Sequence, residues 1–229
     1  MVAWGVFVLG SVFLAIAVVA LARRSAHLLE DPSVLGLTRR ALYLNLVVSQ
    51  AVVLVATVGL LVLTGVAWDL VGFGPTDPLA SVALAVALVG VNEGTERLGW
   101  PTESDNQLRK LLSPKSALEW GLLLTVLVPL VALSEELLFR GLLIGGVSEA
   151  LGVAPLVMVL PAGVLFGLAH AAQGRAGVVT AACIGVALGV GFVVTDSLFT
   201  VVFAHYVVDV VEFLRHAERG ALSQISPLR

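Results

Sequence analysis

Three short stretches carry ionisable side chains into otherwise apolar sequence: EELLFR at 135–140, FGLAH at 166–170 and HYVVD at 205–209. They contribute Glu135, Glu136, Arg140, His170, His205 and Asp209. A carboxylate and an imidazole in a partly desolvated cavity can hold a water between them and remove its proton as it attacks a carbonyl. A second, protonated imidazole can stabilise the oxyanion that develops, with a carboxylate one turn away orienting it. That is peptide hydrolysis without a covalent intermediate. No GxSxG elbow is present, and Cys183 lies on a different apolar run from the acidic pair, so serine and cysteine mechanisms are weakly supported. Two histidines and a carboxylate are also a familiar zinc set, but no HExxH places two histidines on one helix face. Zinc therefore remains an alternative to a metal-free glutamate mechanism.

The elements that must position these groups are membrane spans. The chain has 229 residues, 59% of them hydrophobic and 13% charged, with a mean hydropathy of +1.03, outside the range of soluble domains. Apolar stretches long enough for about 30 Å of hydrocarbon recur throughout. The expected fold is all-α, a polytopic transmembrane helical bundle of about seven to eight spans, near residues 2–22, 41–67, 79–92, 117–149, 155–172, 176–194 and 197–214. The first reads as a retained span rather than a cleaved signal, because no basic residue precedes it and no cleavage site follows. Arg23, Arg24, Arg39 and Arg40 fill one loop, and Arg97, Arg109, Lys110 and Lys115 another. Arg215, Arg219 and Arg229 mark the tail, and the segment 69–77 has no lysine or arginine. The positive-inside rule then puts the amino terminus outside and the carboxyl terminus in the cytoplasm, with the plasma membrane as the expected location. Seven crossings satisfy that charge pattern if residues 117–149 form one kinked helix rather than a hairpin at Pro129. Trp4, Tyr43, Trp68 and Trp120 fall at the proposed span ends.

The expected division is 1–116 for amino-terminal transmembrane helices and cytoplasmic loops, 117–214 for the catalytic core, and 215–229 for a short cytoplasmic tail. At about 1.5 Å per residue, Glu135 lies roughly 21 Å below its span end, His170 roughly 23 Å, His205 about 12 Å and Asp209 about 18 Å, one common layer. A mid-bilayer charge costs roughly 2.5–3.5 kcal/mol, so the six need mutual partners or water. Glu136 and Arg140 share a helix face, as do His205 and Asp209. The pairs Gly141/Gly145, Gly163/Gly167 and Gly185/Gly189 suit close helix approach. Phe139 and Phe166 read as packing around the cavity, Cys183 as a small core side chain, His27 and His216 as non-catalytic. Arg175 reads as a topology determinant in a short loop, and Glu93, Glu96 and Arg97 as a solvated segment. With a net charge of -3 and no basic tail, nucleic acid is not an expected partner. Membrane lipids and a membrane-associated peptide or lipidated protein are, and the oligomeric state is left open.

In this order, EExxxR, FxxxH and HxxxD resemble the CPBP family of intramembrane proteases, which includes the CAAX prenyl endopeptidases and the Abi bacteriocin-processing or immunity proteins. The resemblance spans about residues 117–214. It implies Glu135 as general base, His170 as the residue that holds and activates water, His205 with Asp209 on the oxyanion side, and Glu136 with Arg140 as a brace. The prenyl-protease branch resembles this chain with asparagine at the place of Asp209. An ionised aspartate cannot donate a hydrogen bond, so Asp209 either carries a proton or only orients His205. A non-catalytic immunity or scaffold protein of the same family is the alternative, as is a zinc-dependent form of the same protease.

Overall fold

A computed structural model describes residues 2–29, 38–97 and 112–225. Arg109, Lys110 and Arg229, and the side chains of Glu96, Arg97, His216 and Arg219, lie outside the described residues. Seven helices and no strands are found among the described residues: α1 (Trp4–Leu29), α2 (Arg39–Thr64), α3 (Pro78–Arg97), α4 (Ala117–Leu151), α5 (Pro155–Ala169), α6 (Gly174–Thr195) and α7 (Leu198–Ile225). Four of them, α1, α2, α4 and α6, are long and apolar enough to cross a bilayer by length and composition. Pro78–Gly94 and Pro155–Ala169 are shorter apolar helices, and α7 runs past the expected end at 214 to Ile225.

Local signals set the helix ends. Thr38 Oγ1 accepts from the Ala41 amide at 3.2 Å and Ser116 Oγ from the Glu119 amide at 3.2 Å, each satisfying a donor that the first turn leaves open. Gly65 ends α2 in the left-handed region at φ 71°. Residues 117–151 are one continuous helix, as the charge parity requires, but Pro129 is accommodated by a wide turn rather than by a break. The Val128 amide reaches back five residues to the Leu123 carbonyl, so the helix is re-registered immediately before the residue that has no N–H to give. A second wide stretch, Leu137–Gly146, begins directly after the paired glutamates.

Leu137–Gly146 is the buried axis of the bundle. Leu137, Leu138, Phe139, Leu142 and Ile144 are all closed to the surroundings, the pattern of a helix apolar on every side and packed on every side. Around it, Leu9, Phe13, Val55, Leu63, Leu160 and Val194 point outward, a surface suited to lipid and not to water. Helices α5 and α6 cross closely through their glycines. A Cβ on Gly163 would lie 2.6 Å from Val186 Cγ2 and 3.0 Å from the Val186 nitrogen, so only glycine fits. The pair Gly141/Gly145 serves a different purpose from the expected helix–helix contact. It admits the turn that follows α2, and a Cβ on Gly145 would come 2.3 Å from the Leu70 carbonyl oxygen. That turn is held by the Leu198 amide, which donates to the Gly72 carbonyl at 2.9 Å.

Polar pairs tie α3 to α7. Ser81 and Thr200 hydroxyls lie 3.1 Å apart, Asn92 donates to the buried Glu212, and Arg215 pairs with Glu93. Glu93, still 32% exposed, is thus an interhelical partner as well as a partly solvated side chain. Glu212 is a buried acid that the sequence reading passed over. Cys183 is exposed rather than in the core, in an apolar groove that it lines with Leu160, Val164 and Leu168 of α5. Arg175 sits in the first turn of α6, not in a loop.

Candidate active site

The six ionisable residues come together where α4, α5 and α7 meet, in two layers that burial separates. Glu136 and Arg140 are closed off, with side chains 0% and 1% exposed. Glu135, His170 and Asp209 keep 15%, 16% and 21% and line a cavity of about 230 Å³ together with His205.

In the inner layer Glu136 Oε1 accepts from Arg140 Nη1 at 2.8 Å and from His205 Nδ1 at 2.7 Å. The first contact lies along one helix face, as spacing predicts. The second crosses to α7 and was not foreseen: Glu136 grips His205 as well as Arg140. Arg140 Nη2 donates to the Gly185 carbonyl of α6 at 2.9 Å, and its guanidinium lies 4.4 Å from the centre of the Phe166 ring. Phe166 also meets Phe139 edge-on, with centroids 5.3 Å apart, and stands against both histidine rings. It is the apolar divider of the site.

In the outer layer His170 caps the end of α5, where its amide donates to the Gly167 carbonyl. Its Nδ1 lies 2.8 Å from the Phe166 carbonyl oxygen, which accepts only, so Nδ1 carries the hydrogen and Nε2 presents its lone pair in the neutral ring. Nε2 is 3.8 Å from Glu135 Oε2, beyond hydrogen-bond reach and within the span of one shared water. Glu135 Oε2 has no hydrogen-bond partner among the described residues. His205 Nε2 is 3.6 Å from Asp209 Oδ2. With Glu136 2.7 Å from its other nitrogen, His205 stands between two carboxylates.

Two side chains at the cavity escaped the sequence reading. Gln50 of α2 donates through Nε2 to Glu135 Oε1 at 3.1 Å, and Gln173, in the turn after His170, lines the cavity. A lone amide within the apolar run of α2 was the available signal for Gln50. The rest of the wall is apolar, including Leu46, Leu127, Val131, Val208 and Phe213. As for a metal, among the described residues no three or more His, Cys, Asp or Glu side chains converge as a ligand group. Glu135 Oε2 and His170 Nε2 would give a zinc ion two protein ligands where catalytic zinc takes three, so the donor set does not fit it.

An all-helical membrane bundle built around buried acids and imidazoles is the class that fold and site define. Residues 117–211 match the Rce1-like family, described as type II CAAX prenyl endopeptidase Rce1-like. Over that segment the chain carries a domain of the CPBP/CAAX protease family, as the motifs suggested. The match supports a protease-family assignment over that segment, and the four long apolar helices fit an integral membrane protein. No curated protein and no solved structure matches the chain.

Proposed function

We propose that the protein is an intramembrane endopeptidase in which Glu135 activates water for attack on a peptide bond of a membrane-associated or lipid-modified substrate. The observation that carries this reading is the approach of the unpartnered Glu135 Oε2 to His170 Nε2 at 3.8 Å beside a cavity. A water touching both gives its proton to Glu135 while its oxygen bonds to the scissile carbonyl carbon. The carbonyl electron pair moves onto oxygen, and His205 Nε2–H stabilises that charge. As the tetrahedral species collapses, the C–N bond breaks and the leaving nitrogen takes the proton from Glu135. Glu136 and Arg140 brace His205, and Asp209 orients it. No step needs a metal.

The apolar wall favours an aliphatic stretch of substrate, and similarity to the CAAX prenyl endopeptidases points to prenylated carboxyl-terminal peptides. The basic loops support an orientation with the amino terminus outside and the carboxyl terminus in the cytoplasm of a plasma membrane. The test is cleavage of a quenched, prenylated peptide ending in a CAAX sequence by purified protein in liposomes. Wild type is expected to cleave it with or without chelator. Glu135→Gln and His170→Ala lose at least about a hundredfold, since general base catalysis supplies about 10²–10⁴. Turnover persisting in Glu135→Gln removes the base from this mechanism, loss on chelation with rescue by zinc replaces it with a metal mechanism, and absence of cleavage favours the immunity or scaffold alternative.

A further inference from the structure

Helix α2 lies outside the segment that matches the protease family, yet it supplies the residue that holds the proposed base. The Gln50 amide is fixed at both ends: Nε2 donates to Glu135 Oε1 at 3.1 Å, and Oε1 accepts from Ser134 Oγ at 2.6 Å. Ser134 is fully buried, and its hydroxyl also lies 3.1 Å from the Val131 carbonyl. A carboxylate only accepts, so the nitrogen end of the amide must face Glu135, and the serine hydroxyl can complete the chain only by donating. Ser134 and Glu135 are neighbours on α4. The amide therefore bridges two consecutive residues and restricts rotation of the Glu135 side chain.

The consequence is a division of labour between the two carboxylate oxygens. Oε1 is taken up by Gln50, and Oε2, buried and without a hydrogen-bond partner among the described residues, is left toward His170. A glutamate has three rotatable bonds, and without this tether rotamers other than the productive one become accessible to it.

We propose that Gln50 is a positioning residue for the reaction, holding the Glu135 carboxylate so that Oε2 alone addresses the water at His170; this rests on Glu135 acting as the base. Gln50→Met keeps the length and apolar bulk of the side chain and deletes the donor. Gln50→Asn keeps the amide and withdraws it by one methylene. Both are expected to lower kcat about 10–100-fold, the range typical when a group that orients a catalytic ligand is lost. KM should stay within about threefold and the melting temperature within a few degrees, because a neutral interhelical hydrogen bond in a membrane contributes only about 0.6 kcal/mol. Ser134→Ala should lower kcat less, and adding it to Gln50→Met should change nothing further, since Ser134 acts through the amide.

The measurements are kcat and KM on the prenylated peptide that the wild-type chain cleaves, with melting of each purified variant. Turnover in Gln50→Met within about twofold of wild type, beside an inactive Glu135→Gln, overturns the proposal and leaves the base intact. A fall in kcat that tracks a large fall in melting temperature overturns it in favour of a packing role. An active Glu135→Gln overturns the base itself, whatever Gln50 does.

Discussion

Replacing Glu136 by leucine removes the oxygen shared by Arg140 Nη1 and His205 Nδ1. Arg140, 1% exposed, keeps the Gly185 carbonyl at 2.9 Å and the Phe166 ring, neither of which neutralises its charge. Breaking a buried pair in this way costs about 3–5 kcal/mol, because a cation is stranded away from water. If the Glu136 contacts counted only as interhelical hydrogen bonds, the loss would be nearer 0.6 kcal/mol each. At about 2–4 °C per kcal/mol for a chain of this size, the ion-pair view predicts a drop of about 6–20 °C in melting temperature. The double variant Glu136→Leu with Arg140→Met supplies the decisive contrast. Removing both charges and filling the space restores stability to within about 1 kcal/mol of wild type, yet His205 has lost its anchor, so peptide cleavage stays abolished. Thermal melting of purified protein in detergent, followed by tryptophan fluorescence, and the peptide assay read the two effects separately. A Glu136→Leu protein that melts within about 2 °C of wild type, or a double variant no more stable than the single one, refutes the buried-charge argument.

Asp209 stands 3.6 Å from His205 Nε2 and is 21% exposed, a pair that contributes at most about 1 kcal/mol; Asp209→Asn should therefore keep turnover within about fivefold, and complete inactivation would show that the charge itself takes part. Gly163→Leu drives a side chain into Val186, where backbone blocks relief, and should cost about 1–3 kcal/mol or prevent folding. Gly59→Leu, which meets nothing within 4 Å, should leave melting and activity unchanged. Equal behaviour of the two glycine variants would contradict the close crossing of α5 and α6.

By itself the sequence determined that the chain is an all-helical membrane bundle, since hydropathy over some twenty residues reports a property of each segment alone. It also determined which polar side chains share a face, as with Glu136 and Arg140 or His205 and Asp209, because 3.6-residue periodicity is local. Tertiary structure decided the partners across helices. That His205 is gripped by Glu136, that Gln50 reaches Glu135 from α2, that Glu93 and Glu212 are paired with α7 and α3, and that Gly145 receives a turn rather than a helix all depend on which faces dock and at what height. Cys183 was misjudged for the same reason: in a membrane protein apolar surroundings do not imply an interior position, because lipid satisfies an outward side chain as well as the core does. A single amide has no period to reveal its direction, and only packing aims it.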